Sequence, residues 1–439
     1  MRSSLHRRFT TSLAVAAVAG ITLAACGSGP GASTGEAGAE GDGTVSVYGT
    51  ISETEAELLE ESWAAWEDET GIDIKYEASQ EFEAQIAIRA QGGSAPDIGI
   101  FPQPGLMADL ASRGFLKPAP QAVEANVDEF WSADWKTYGT VDDTFYGAPL
   151  MASVKGFIWY SPAKFAEWGV DVPATWDELL AATATIQAAT GTAPWCAGFG
   201  SGEATGWPGT DWVEDLVLRQ AGPEVYDQWV ANEIPFTDPA IATALESVGE
   251  ILLNPEYVNA GFGDVASINS TAFGDVANPV ADGTCAMTHQ ASFFDGFLVD
   301  AGAEVGPDGD VWAFLTPSVQ DGGQAVTGGG EIVAAFSDDA DTQAVQEYLS
   351  SDDWANSRVA LGGVISANTG LDPANAQSPI LQEAIAILQD PNTTFRFDGS
   401  DLMPGSVGSG TFWKGMISWI NGTPTDEVLT SIESGWPSS

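Results

Sequence analysis

Residues 44–101 read TVSVYGTISETEAELLEESWAAWEDETGIDIKYEASQEFEAQIAIRAQGGSAPDIGIF, and this stretch decides the fold. The stretch contains two segments with the spacing of apolar residues that is typical of helices. Ser52 followed by Glu55 predicts a capping box at the start of the first of these helices. Three short apolar segments predict strands: 44–48, 72–76 and 97–101. Strands that alternate with helices indicate a parallel sheet covered by helices, an α/β fold in which ligands bind beyond the carboxyl ends of the strands.

The rest of the chain also contains predicted strands and helices. Residues 145–160 (FYGAPLMASVKGFIWY) are almost continuously apolar and predict long buried strands that run between two lobes. Thr175 and Glu178 form a second predicted capping box, which begins a helix that ends before Gly191. Later strands are predicted at 311–315 and 331–336, and the C-terminal quarter is predicted to be helical.

Composition and charge exclude several classes of function. The chain has 439 residues, 44% of them hydrophobic, which is enough for two or three domains with large cores. Its 14 basic and 62 acidic residues give a net charge of -48, so nucleic acid and anionic membrane surfaces are not expected partners. His289 is the only histidine after the leader, which excludes multi-histidine zinc sites. No cofactor or metal motif is recognisable, and none is predicted.

The N-terminus has the pattern of an export signal. Three arginines precede an apolar stretch over 13–25, and Leu23-Ala24-Ala25-Cys26-Gly27 resembles the lipobox of bacterial lipoproteins. We expect residues 1–25 to be removed and Cys26 to carry the lipid, which anchors the protein to the outer face of the cytoplasmic membrane. Residues 26–43, rich in glycine, alanine and serine, predict a flexible tether. Cys196 and Cys285 then remain, as a disulfide or as two buried thiols.

Aromatic and uncharged polar residues suggest a carbohydrate site. The chain has 16 tryptophans, and tryptophan rings stack on sugars while carboxylates and amides bind hydroxyl groups. Trp207, between Gly206 and Pro208, is predicted to contact ligand. Asp211 is either a helix N-cap or a ligand contact. Gln103 and Gln290 are candidates for binding pairs of hydroxyl groups, with loop packing as the alternative.

Two further segments offer carboxylates to a cleft. Glu331 follows three glycines, which either let the backbone approach a ligand or form a tight turn. Residues 396–404 place Arg396 beside Asp398 and Asp401, where an internal ion pair competes with a ligand contact through Asp401. Such carboxylates also occur in glycosidases, so a secreted glycosidase is one alternative. A receptor for a cationic ligand, such as a polyamine or a peptide, is another.

The ordered motifs WAAWEDETGIDIKYE, APDI, GFLKP, FYGAPL, WYSPAKFAEWGVDVPATWDELL and GTCAM resemble the extracellular solute-binding proteins of family 1, which serve ATP-binding cassette (ABC) sugar importers. The resemblance spans residues 44 to about 420. Within the family, the segment that includes GWPGTDW, with RFDGSDLMP and GSGTFWKGM, resembles the alpha-glucoside-binding branch.

This resemblance implies a type II periplasmic-binding-protein-like fold with a sugar in the cleft between two lobes. The expected N-terminal lobe is 44–151 plus about 310–365, and the C-terminal lobe is 152–309 plus about 366–439. It also implies binding without catalysis, a carbohydrate ligand, ABC permease partners and a monomer. Carried over by position, the ligand contacts are these: Thr50, Gln103, Ser153, Trp207, Asp211 and Gln290. Phe101-Pro102-Gln103 replaces charged contacts of maltodextrin binders, which favours a smaller alpha-glucoside.

Overall fold

The computed structural model describes residues 40–259, 263–317 and 325–437. The predicted signal segment 1–25, Cys26 and the tether up to residue 39 lie outside these ranges. Within them, no helix has both the length and the apolar character needed to cross a membrane. The described residues all belong to one compact unit, Gly38–Ser439.

Eleven strands are present in the described ranges: β1 (Thr44–Gly49), β2 (Asp73–Ala78), β3 (Ile98–Phe101), β4 (Thr140–Val141), β5 (Thr144–Phe145), β6 (Gly147–Val154), β7 (Phe157–Tyr160), β8 (Met287–Gln290), β9 (Trp312–Leu315), β10 (Ala325–Ala335) and β11 (Thr394–Phe397). The α-helices of the same ranges are α1 (Glu53–Thr70), α2 (Phe82–Gln91), α3 (Pro104–Ser112), α4 (Gln121–Phe130), α5 (Ala133–Tyr138), α6 (Pro162–Trp168), α7 (Trp176–Thr190), α8 (Trp207–Ala221), α9 (Pro223–Val230), α10 (Pro239–Leu252), α11 (Ala277–Ala281), α12 (Phe294–Asp300), α13 (Ala340–Leu349), α14 (Asp352–Ala360), α15 (Pro379–Gln389), α16 (Gly399–Leu402), α17 (Trp413–Ile420) and α18 (Thr425–Glu433).

The first sheet has the order β2-β1-β3-β10-β11, and β6 also pairs with β10. Strands β1, β2 and β3 are parallel, as the alternating pattern predicts. Strand β10 runs antiparallel to β3 and β6 but parallel to β11. The predicted long buried strands over 145–160 are therefore β6, in this sheet, and β7, in the next.

The second sheet is antiparallel and has the order β8-β7-β9. Because β7 follows β6 after only two residues, 155–156 form a crossing segment between the sheets. Strand β9 pairs with β7 in the second sheet, whereas β11 returns to the first. The predicted lobe boundaries remain a prediction.

The helix ends test the two predicted capping boxes. The Thr175 hydroxyl accepts a hydrogen bond from the Glu178 backbone N–H, and the Glu178 carboxylate accepts one from the Thr175 backbone N–H, so that capping box is present. Ser52 is the N-cap of α1, but its side chain makes no capping hydrogen bond, so the capping box predicted there is wrong. Gly71 ends α1 with a φ of 77°, a left-handed conformation that favours glycine.

The tryptophans at predicted helical positions are largely core residues. Trp63, Trp176 and Trp354 are buried, and the Trp354 indole N–H donates to the Ser62 hydroxyl at 3.0 Å. Trp66 is partly buried and stacks on Tyr348. Cys196 and Cys285, both buried, are joined by a disulfide with their Cα atoms 5.8 Å apart, a separation typical of such bonds.

Candidate functional site: a crevice at the carboxyl ends of the strands

The sheet topology places the candidate site, here called the crevice, where β10 changes its neighbour. Residues 325–328 of β10 pair with β11, whereas residues 332–335 pair with β3. Residues 329–331 lie between these two ladders, next to the carboxyl ends of both β3 and β11. In open α/β sheets, ligands bind at such changes of neighbour. The carboxyl ends of β1 and β6 reach the same edge, since β1 is parallel to β3 and Val154 of β6 pairs with Gly328.

The three glycines at 328–330 lie inside β10, so the tight turn considered as an alternative is wrong. A side chain at Gly330 would overlap the Met151 carbonyl oxygen, and one at Gly328 would overlap the Phe395 ring. The glycines therefore permit close packing of β10 against its neighbours. Glu331 follows at a β-bulge, where the register shifts between Gly330 and Ile332. A bulge redirects the side chain it carries.

Lys155, in the crossing segment between β6 and β7, is the centre of a buried charged network. Its Nζ lies 2.8 Å from Asp211 Oδ1 on α8 and also contacts Asp398, which follows β11. Asp398 accepts hydrogen bonds from the Ser400 hydroxyl at 2.8 Å and the Asp401 backbone N–H at 3.0 Å. These contacts join α8 to two of the segments that leave the first sheet.

Glu214, one turn after Asp211 on α8, strengthens the same connection. It is completely buried, and its carboxylate accepts the backbone N–H groups of Gly399 at 2.9 Å and Ser400 at 3.0 Å. Oxygen atoms of Asp211, Glu214 and Asp398 lie within 4.8 Å of one another, a spacing that would also suit a metal ion. The Lys155 ammonium already contacts two of these three carboxylates, so it supplies the positive charge there.

Burial controls the ionisation of this network. It raises the pKa of Asp211 to about 8, with help from Asp398 and against the opposing effect of Lys155. Burial also raises the pKa of Glu214 and of Asp401, in each case with Asp398 as the next cause. Burial opposes ionisation of Asp398 too, but Lys155 and several hydrogen bonds outweigh it and lower its pKa to about 2. Within the network, Asp398 is therefore the carboxyl whose ionised form is favoured, whereas burial disfavours the ionised forms of the other three.

An aromatic surface borders this network. Trp207 is the first residue of α8, and its half-buried ring meets the Phe273 ring edge-on at 5.0 Å and the Phe293 ring at 6.1 Å. Lys155 Nζ lies 5.5 Å from the centre of the Trp207 ring, a cation-π distance. A partly exposed indole beside buried hydrogen-bonding groups is an arrangement suited to sugar rings.

The other predicted contacts lie on or next to several different elements. Ser153 pairs with Gly329, and Thr50 directly follows β1. Gln103 is the buried N-cap residue of α3; its Nε2 donates to Glu83 at 3.2 Å, while its Oε1 has no partner among the described residues. Gln290 ends β8 opposite the start of β7, and its Oε1 accepts the Ala291 backbone N–H at 2.9 Å.

Two interpretations made from the sequence are wrong. Asp211 is not an N-cap, because α8 begins four residues earlier with Gly206 as its N-cap, and the carboxylate is buried against Lys155. Arg396 does not pair with Asp398 or Asp401; it forms an ion pair with Asp227, with Nε 2.5 Å from Oδ1.

Sequence reasoning missed the central residue of the network. Lys155 is the only charged side chain in the apolar run 145–160, and a lone charge in a buried segment needs a partner. That signal identifies Lys155 as important but not its partners, since Asp211 and Asp398 are distant in sequence. His289, at 3.3 Å from Asp215 and stacked on Trp212, belongs to a separate buried cluster.

Comparison with solved structures identifies the fold as the two-lobed fold of periplasmic solute-binding proteins. The solute receptor AcbH, described as preferring β-D-galactopyranose, superposes with a TM-score of 0.76 at 18% identity, covering 90% of this chain and 98% of its own. The solute-binding protein RafE in complex with raffinose gives a TM-score of 0.69 at 18% identity, covering 89% and 98%.

Sequence comparison then shows the family. The sequence model of the family of bacterial extracellular solute-binding proteins matches residues 50–358. The chain therefore belongs to this family. It is 37% identical to the osmoprotective compounds-binding protein GgtB of Synechocystis sp. over 95% of this chain and 97% of the relative. It is 38% identical to the alpha-glucosides-binding periplasmic protein AglE of Rhizobium meliloti over 90% and 87%. These relatives are named as binding proteins, not as enzymes.

Proposed function

We propose that this protein is the binding component of an ABC importer and that it captures a small neutral alpha-glucoside in the crevice between its lobes. The observation that carries this proposal is the position of the Trp207 ring beside the Lys155–Asp211–Asp398 network. One group offers an apolar stacking surface and the other offers hydrogen-bonding groups. The names of GgtB and AglE support a ligand of this class.

The ionisation of the network favours a neutral ligand over a cationic one. Lys155 and Asp398 form an ion pair, and burial raises the pKa of Asp211 to about 8 and also raises the pKa of Glu214 and Asp401, which favours the uncharged forms of these three carboxyls. The strongly acidic composition is thus offset next to the Trp207 ring. A neutral hydroxyl group can exchange hydrogen bonds with a protonated Asp211 without leaving a charge unpaired.

Binding would act through lobe closure. A ligand that touches both lobes shifts the population towards the closed form, and the closed form would dock on the permease subunits. No covalent step is involved. Cys26 would hold the monomeric receptor at the outer face of the membrane through its lipid. Radiolabelled palmitate fed to producing cells should label the wild type and the Cys196→Ser variant but not Cys26→Ala; label on Cys26→Ala would contradict the anchor.

The test of ligand class is thermal unfolding of the compact unit, residues 38–439, with mono- and disaccharides, polyamines and short peptides. Ligands that bind the native state raise the thermal midpoint. At a hundredfold excess over Kd they add about 2.7 kcal/mol to the free energy of unfolding. We expect a rise with one or a few alpha-glucosides, nearly independent of salt. A rise of the midpoint only with cationic compounds, which disappears when salt is added, would show that the ligand is a cation and not a sugar. Turnover of nitrophenyl glucosides would show that the protein is a glycosidase and would contradict the proposed receptor.

A further inference from the structure

Arg358 on α14 is a completely buried guanidinium with unused hydrogen-bonding groups. Its Nη1 donates to the Gly362 carbonyl oxygen at 2.9 Å. Its Nε and Nη2 have no hydrogen-bond partner among the described residues. Buried donors are nearly always paired, and leaving charged ones unpaired is costly, so two unpaired N–H groups on one side chain point to a bound partner.

Two carboxylates that interact electrostatically with Arg358 come from different elements. Glu55 lies in the first turn of α1, just after the carboxyl end of β1, and Glu331 occupies the bulge of β10. Both interact electrostatically with Arg358, yet none of the ion pairs of the described residues joins either carboxylate to it. Burial raises the pKa of Glu331 to about 7, with Glu55 as the next cause.

This group is continuous with the crevice. Glu331 is next to the glycines whose neighbours are β6 and the ends of β3 and β11, and it also interacts with the charge of Lys155. Glu55 and Glu331 are partly exposed, whereas Arg358 is completely buried. A ligand that rests against Trp207 from one side would thus meet these side chains on the wall formed by the first sheet.

We propose that Arg358, Glu55 and Glu331 form a polar subsite that binds two adjacent hydroxyl groups of the ligand. The unpaired N–H groups of Arg358 donate to the hydroxyl oxygens, and the two carboxylates accept the hydroxyl protons. Two flanking carboxylates disfavour an anion, and the guanidinium disfavours a cation, so the subsite selects a neutral diol. This assignment rests on the proposed function and adds which part of the glycoside the first lobe recognises.

The decisive experiment is calorimetric titration of the wild type, Glu331→Gln and Arg358→Lys with a stabilising glycoside and its single-deoxy analogues. We expect each variant to weaken binding of the full glycoside by about tenfold or more, since a charged group loses its hydrogen bonds. One deoxy analogue should bind the wild type more weakly than the full glycoside does. The same analogue and the full glycoside should bind Glu331→Gln with equal affinity. That non-additivity assigns the contact to one hydroxyl group.

Arg113→Lys is the matched control, because Arg113 is exposed and pairs with Asp109 on α3. Affinities of Glu331→Gln and Arg358→Lys within twofold of the wild type would overturn the subsite and leave the receptor intact. If Arg358→Lys fails to fold, Glu331→Gln with the deoxy series decides alone. A wild type that binds no glycoside would instead refute the proposed function, and the subsite with it.

Discussion

Replacing Lys155 with methionine tests whether the buried network holds the crevice together. Methionine keeps most of the apolar stem but removes the ammonium, so Asp398, whose side chain is only 2% exposed, loses its counter-ion. Removing one partner of a buried ion pair costs about 3–5 kcal/mol, because the remaining charge is left without compensation. For a folded unit of about 400 residues this corresponds to a thermal midpoint about 4–6 °C lower.

The pH dependence of this loss has a definite sign. In the wild type the pKa of Asp398 is lowered to about 2, so the stability it contributes is present above its ordinary pKa of 3.8 and is lost as the pH falls towards 2. Without Lys155 the carboxyl must bind a proton to remain buried. The variant should therefore be most destabilised at pH 7 and closer to the wild type at pH 4.

The assay is thermal unfolding of both proteins at pH 7 and pH 4, with Lys164→Met as the matched control. Lys164 is 45% exposed and pairs with Glu167 on α6, so its loss should change stability by no more than about 0.5 kcal/mol. If Lys155→Met unfolds at the same temperature as Lys164→Met at pH 7, the network does not carry the stability inferred from its burial.

Two other predictions concern the aromatic surface and the disulfide. Trp207→Ala should weaken glycoside binding in calorimetric titration by more than about 1 kcal/mol, because the stacking contact is lost. The control is Trp66→Ala, which removes the ring stacked on Tyr348 and should bind the glycoside as the wild type does. Equal affinities of the two variants would show that Trp207 is not in the site. Cys196→Ser should lower the thermal midpoint under oxidising conditions only, because it removes up to about 4.6 kcal/mol from the free energy of unfolding in the chain-entropy model for a sequence separation of 89 residues. A wild-type midpoint that is insensitive to reductant would indicate two ordinary thiols.

The buried network also shows how a very acidic chain could bind the neutral ligand proposed above. Most of its acidic residues are exposed and keep the protein soluble. At the crevice, burial raises the pKa of Asp211, Glu214 and Asp401, whereas Lys155 and hydrogen bonds lower the pKa of Asp398. The net charge of -48 therefore does not by itself predict the charge of the ligand.

Local sequence patterns determined much of this protein. The alternating stretch 44–101 predicted three parallel strands and their helices, and Thr175 with Glu178 predicted a capping box that the structure contains. These features depend on residues that are neighbours along the chain. The ordered motifs predicted the family that the comparisons show.

Tertiary structure alone decided the composition of the crevice. Lys155, Asp211 and Asp398 come from a crossing segment, a helix and the end of a strand that are far apart in sequence, so no spacing rule connects them. For the same reason Asp211 was open to interpretation as a helix cap, and Arg358 carried no signal at all. Whether a carboxylate caps a helix, pairs with lysine or binds a ligand depends on which distant groups surround it, and only packing determines that.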